Sequence, residues 1–268
     1  MVARRAPADS VPTRRREVAV AVLVVLAVVM TACGGADKPS GGSGNARGRG
    51  TGRDGRTESS SAAEGGATGN LAPVPPPDRT GAPKALFLGT SLTAGLGLAE
   101  PTAQSWPGVV QQLADSAGIP FFVVNAGLSG ETSAGALRRA DWVLKEKYDV
   151  IVIETGANDG LRGLNVDSTA ANVRGIIRKA RTANPGATIF LVQMEAPTNM
   201  GPRYNTSFHD LFPKVARETG VILLPFLLDG VGGIEKFNQD DGIHPTVEGA
   251  RMVAHNVWPG IRAALRRR

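Results

Sequence analysis

Lys84-Ala85-Leu86-Phe87-Leu88-Gly89-Thr90-Ser91-Leu92 is where a polar, glycine-rich chain turns into folding sequence. Ala85–Leu88 is an apolar run too short for a helix. Stopped by a glycine and followed by two hydroxyl residues, it predicts a strand buried on both faces. The same texture recurs downstream. Short apolar runs at Phe121–Val124, Val150–Ile153, Thr188–Val192 and Val221–Leu224 alternate with amphipathic stretches near 105–117, 132–147, 168–183, 204–219 and 246–265. Strands that alternate with helices predict βαβ units, and hence an α/β domain over 84–268 with a five-stranded parallel sheet covered on both faces. Asn184-Pro185-Gly186 ends the third helix.

Upstream of Lys84 nothing can build a core. Residues 34–83 hold 13 Gly and 6 Pro and no Phe, Tyr, Trp or Ile, so this stretch is expected to be a disordered tether. Its Arg47-Gly48-Arg49-Gly50 has the look of an RNA-binding tract, but behind an export signal a flexible spacer is the simpler reading. Residues 1–33 are expected to be that signal. Arg14-Arg15-Arg16 precedes a 13-residue apolar run, Val18–Met30, which falls short of the roughly 20 residues a spanning helix needs. Thr31-Ala32-Cys33-Gly34 then resembles a bacterial lipobox. That resemblance implies lipidation of Cys33, the only cysteine, and an exported protein held at a membrane by its acyl chains.

The net charge of +6 does not imply a nucleic-acid partner. Residues 84–268 carry 19 basic and 17 acidic groups, so the domain itself is close to neutral.

In an open α/β sheet, ligands bind beyond the carboxyl ends of the strands. Gly89-Thr90-Ser91 follows the first candidate strand, and Asn125-Ala126-Gly127-Leu128-Ser129-Gly130-Glu131-Thr132 follows the second. Thr155-Gly156-Ala157-Asn158-Asp159-Gly160 follows the third, Glu195-Ala196-Pro197-Thr198-Asn199-Met200-Gly201 the fourth, and Asp240-Asp241-Gly242-Ile243-His244-Pro245 the fifth. Hydroxyl, amide, carboxylate and imidazole are therefore expected on one rim, which suits acyl transfer. A serine needs a base to take its proton, the base needs a carboxylate to hold its tautomer, and the oxyanion needs fixed donors. Ser91 is the candidate nucleophile, His244 the base and Asp241 the orienting carboxylate, with Asp240 the alternative. The N–H of Ser91, the N–H of Gly130 and the side chain of Asn158 are the candidate oxyanion donors. His209 and His255 fall inside helical patterns. Glu154, at the end of the third strand, is expected to be a structural hydrogen-bonding partner, Asp159 to cap a turn, and Trp106 and Trp142 to pack in the core or its rim.

These blocks, together with Arg203-Tyr204-Asn205 and Leu224-Pro225-Phe226, resemble the SGNH or GDSL hydrolase superfamily over nearly all of 84–260. The similarity is to its acyl-CoA thioesterase I, lysophospholipase L1 and arylesterase branch. The four name-giving residues fall on Ser91, Gly130, Asn158 and His244, and the family carboxylate on Asp241. The resemblance implies a three-layer, flavodoxin-like SGNH fold and a monomeric serine esterase or thioesterase, without metal or cofactor, acting on small acyl esters. It also implies a substrate-contacting segment after the fourth strand, where Pro197 and Met200 become candidate acyl-binding residues. One position departs: the family usually has Asp before the nucleophile, and this chain has Thr90. A carbohydrate O-deacetylase is the competing activity, made less attractive by the scarcity of aromatic platforms. A non-catalytic binding lipoprotein is the competing class, disfavoured by the intact set Ser91, Asn158, Asp241 and His244. A Gly-x-Ser-x-Gly elbow is absent, since Thr93 stands at its last position.

Overall fold

A computed structural model describes residues 79–266. The expected signal with Cys33, and residues 34–78 of the expected tether, lie outside the described residues. Strands β1 (Lys84–Gly89), β2 (Phe122–Gly127), β3 (Val150–Ile153), β4 (Thr188–Gln193) and β5 (Ile222–Phe226) form one parallel sheet in the order β2-β1-β3-β4-β5. Every residue of β3, and all of β1 after Lys84, is buried, while β2 and β5 at the edges are mostly half-covered or exposed. The uninterrupted apolar runs thus occupy the centre, where both faces are covered.

Helices are α1 (Ser91–Ala94), α2 (Pro101–Gln104), α3 (Trp106–Ser116), α4 (Ser133–Val143), α5 (Ala157–Leu161), α6 (Val166–Ala183), α7 (Pro202–Thr219) and α8 (Val247–Leu265). The chain steps outward from β1 to β2, then back past β1 to β3, β4 and β5. Right-handed crossovers therefore place α3 on one face and α4, α6 and α7 on the other. The packing agrees: α3 lies against α8, and α6 lies between α4 and α7. Ser105, Thr132, Asn165 and Thr246 each accept a backbone N–H at a helix start, of α3, α4, α6 and α8 respectively. Among the described residues no helix is long and apolar enough to cross a membrane.

Some elements depart from the pattern expected of them. The second expected helical stretch, 132–147, ends as α4 at Val143, because the chain must turn there to bury Leu144 and Tyr148 and enter β3. Trp142 is not packed: it is 70% exposed. The inner stripe of α4 is Ala136, Ala140 and Val143, and position 142 points away from it. The fifth strand runs past Leu224 through Pro225. Val192 pairs with Leu224 and Gln193 with Phe226, so the ladder skips the proline. An edge strand tolerates that.

Candidate active site

The strand order reverses at β1, which places the switch point between β1 and β3. Gly89 is level with Gly127, and Leu88 with Ile153, so three loops leave the sheet side by side at about 4.8 Å spacing. They carry Ser91, Gly130 and Asn158. Ser91 opens the short helix α1, where its N–H has no intrahelical acceptor. The turn into α1 needs glycine at two positions. A Cβ on Gly89 would lie 2.0 Å from Thr93 Oγ1, and one on Gly127 would lie 2.2 Å from the Ala94 nitrogen. Asn125 ties α1 to β2 by donating to the Thr93 carbonyl at 2.7 Å.

Behind Ser91 lies Glu154, 1% exposed. Its carboxylate accepts from the Thr90 N–H at 2.8 Å, the Thr90 hydroxyl at 3.0 Å and the Thr93 hydroxyl at 2.9 Å. Burial pushes the Glu154 carboxyl above its usual range, and these donors pull it back only in part. The residue that departs from the family pattern is thus a donor to a buried acid. A second carboxylate in its place would meet like charge.

The fifth loop brings the imidazole. His244 Nε2 lies 2.8 Å from Ser91 Oγ, and its Nδ1 lies 2.6 Å from Asp241 Oδ2. The other oxygen, Asp241 Oδ1, accepts the N–H groups of Ile243 at 2.8 Å and His244 at 2.9 Å, in a turn that Gly242 passes at φ +68°. Partial burial raises the Asp241 carboxyl, but the His244 and Ile243 N–H groups and the imidazole outweigh it and hold the acid below its usual value. An ionised Asp241 can only accept, so Nδ1 carries the proton and Nε2 is left to accept from Ser91. Asp241, and not the exposed Asp240, faces the ring. His209 pairs with Glu195 at 2.7 Å, and His255 lies against the Arg251 carbonyl on α8; neither reaches the serine.

Other expected residues sit near this centre. Gly130 has φ +75°, a conformation glycine adopts without strain. Asn158 Nδ2 donates to the Glu131 carbonyl at 3.0 Å, so one of its two amide hydrogens is committed and the other is left for a ligand. Asp159 goes beyond a turn cap. It accepts from the backbone and hydroxyl of Ser133 at 2.8 and 2.5 Å and from Thr169 at 3.1 Å, joining the starts of α4 and α6. Pro197 and Met200 frame a short 3-10 turn, with the Met200 methyl over Gly163. A recess that touches both Ser91 and His244 is lined by Leu92, Leu96, Leu98, Trp106 and Pro245. Among the described residues no group of three or more His, Cys, Asp or Glu side chains could hold a metal ion.

Two groups escaped the sequence reading. Gln239 donates from Nε2 to the Leu96 carbonyl at 2.8 Å and to the Pro245 carbonyl at 2.9 Å, and so fastens the His244 loop to the nucleophile loop. Arg139 pairs with Glu131. Gln239 directly precedes the acidic pair, the only hint a sequence offers. Arg139 looks like any helix-surface cation.

Comparison with known proteins yields one consistent set. The pattern of the GDSL-like Lipase/Acylhydrolase family matches residues 87–252. Esterase TesA of Pseudomonas aeruginosa is 40% identical over 181 residues, covering 67% of this chain and 88% of that one. Thioesterase 1/protease 1/lysophospholipase L1 of Escherichia coli K12 is 38% identical over 170 residues, 63% of this chain and 78% of that one. The psychrotrophic esterase EstA from Pseudoalteromonas sp., solved inhibited by monoethylphosphonate, superposes with a TM-score of 0.64 at 32% identity, over 68% of this chain and 98% of that one.

Proposed function

The chain belongs to the GDSL-like lipase/acylhydrolase family, and from that premise we propose that Ser91, His244 and Asp241 are its catalytic triad. It is a carboxylic-ester hydrolase of the serine type. The observation that carries the residue assignment is the unbroken contact from Ser91 Oγ through both ring nitrogens of His244 to Asp241. Ser91 Oγ attacks the substrate carbonyl while His244 Nε2 takes its proton, and Asp241 stabilises the imidazolium. The oxyanion accepts from the N–H groups of Ser91 and Gly130 and from the free hydrogen of Asn158. His244 then returns the proton to the leaving alcohol or thiol. Water, activated by the same imidazole, releases the acid.

The substrates are short- to medium-chain acyl esters and thioesters, in keeping with relatives that bear the names esterase and thioesterase/lysophospholipase. Pro197 and Met200 border the acyl chain. The protein is exported and held at a membrane by lipidated Cys33, a reading supported by the lipobox-like sequence alone. The test is hydrolysis of p-nitrophenyl acetate, butyrate and octanoate by the full chain and by Ser91→Ala. Ser91→Ala is expected to lose on the order of 10⁴-fold or more in kcat with its fold intact. A loss of only a few-fold assigns the nucleophile elsewhere.

A further inference from the structure

Glu131 and Arg139 form an ion pair whose carboxylate side chain is 5% and guanidinium side chain 19% exposed. Arg139 Nε donates to the two Glu131 oxygens at 2.7 and 2.9 Å, and Nη2 adds a third bond at 2.7 Å. The same Nη2 donates to the Ala126 carbonyl at 2.8 Å and to the Gly89 carbonyl at 3.2 Å. Gly89 ends the strand that leads to Ser91, and Ala126 lies near the end of the strand that leads to Gly130. The backbone carbonyl of Glu131 meanwhile accepts the committed hydrogen of Asn158. Glu131 directly follows Gly130 and bonds Asn158, while Arg139 reaches Gly89, so the pair together touches every loop around the oxyanion. Room for its stem exists because residue 135, one turn into α4, is glycine; a Cβ there would lie 2.8 Å from Glu131 Cγ.

We propose that the Glu131–Arg139 pair positions the oxyanion donors, setting the Gly130 N–H and the Asn158 amide at a fixed distance from Ser91. The pair touches no substrate. It rests on the reading of Gly130 and Asn158 as oxyanion donors given above. The guanidinium is chosen for its fork, which bridges a carboxylate and two carbonyls in one plane. A surface ion pair would contribute little to stability. This one sits where a displacement of under 1 Å misaligns two donors at once.

The experiment measures kcat and KM for p-nitrophenyl butyrate, and thermal unfolding, in the full chain. The variants are Glu131→Gln, Arg139→Lys, Arg139→Met, Asn158→Ala and the double variant Glu131→Gln with Asn158→Ala. Glu131→Gln and Arg139→Met are expected to lower kcat by about 10- to 50-fold, a fraction of what losing an oxyanion donor costs, with KM changed by less than about threefold. Arg139→Lys keeps the charge without the fork and should fall between wild type and Met. In the Asn158→Ala background, the further loss from Glu131→Gln should shrink to about threefold or less, because coupled residues are not additive. Equal losses in both backgrounds, or lowered unfolding temperatures with kcat unchanged, would overturn the proposal. So would a rise in kcat for Glu131→Gln, the sign expected if the pair acted through charge alone. If Asn158→Ala itself leaves kcat intact, the oxyanion reading fails and the proposal falls with it. If Asn158→Ala lowers kcat and Glu131→Gln does not, only the proposal fails.

Discussion

Thr90→Val removes one hydroxyl from a closed pocket and keeps the shape. Thr90 and Glu154 are each 1% exposed, so no water replaces the lost donor. Glu154 keeps the Thr90 N–H and the Thr93 hydroxyl. A hydrogen bond to a charged group contributes about 1.5–3 kcal/mol, and the remaining donors tighten to recover part of it, leaving a loss of about 1–2 kcal/mol. For a domain of this size that lowers Tm by roughly 2–8 °C. The pH dependence follows from the direction of the Glu154 shift. Burial raises its folded pKa above the unfolded value, so its protonation favours the folded state at low pH. That contribution is lost as pH rises through the folded pKa. Losing a donor to the carboxylate raises the folded pKa further, so the penalty of Thr90→Val grows with pH. Circular dichroism melts at pH 5 and pH 8 should show the larger difference from wild type at pH 8, and Glu154→Gln should abolish the pH dependence of that difference. A Tm change under about 1 °C at pH 8, or a larger one at pH 5, would refute the account.

Asp241→Asn should keep the turn, since an amide oxygen can still accept the Ile243 and His244 N–H groups, yet lower kcat by about 10⁴-fold through the wrong imidazole tautomer. Because the Asp241 carboxyl is held below its usual range, wild-type activity should show no loss attributable to its protonation until pH falls below the ordinary carboxylate range. A pH–rate profile checks this. Met200→Ala should shift or flatten the acyl-length optimum, at about 0.8 kcal/mol per methylene, while sparing acetate esters. Equal losses at every length place the acyl chain in the Leu96, Leu98 and Trp106 recess instead. Cys33→Ser should release the protein from washed membranes with specific activity unchanged; retention through high salt would make Val18–Met30 the anchor.

The apolar runs of β1 and β3, read in isolation, already imply a sheet covered on both faces, because a strand with no polar side has nowhere else to go. The helix starts capped by Ser105, Thr132 and Thr246 fall where the amphipathic stretches are expected to begin, while Asn165 caps α6 three residues before the expected 168. The loops after the strands could be read for chemistry because hydroxyl, amide and imidazole gather there beside glycine, where an open α/β sheet binds its ligands. What distinguishes Asp241 from Asp240 is a hydrogen bond three residues long, settled by the path of one turn. The rest needed the tertiary structure. Ser91 and His244 are 153 residues apart, and Leu96 and Gln239 are 143 apart; their contact depends on the strand order and the right-handed crossovers. Thr90 looks like a lost acid until Glu154 is seen beneath it, 64 residues on. Arg139 looks like a solvated helix charge until Glu131 and the ends of β1 and β2 close around it. Local periodicity records which face of an element is buried. It carries no record of which distant backbone carbonyl that face will meet, and the partners of a buried charge are chosen by that meeting.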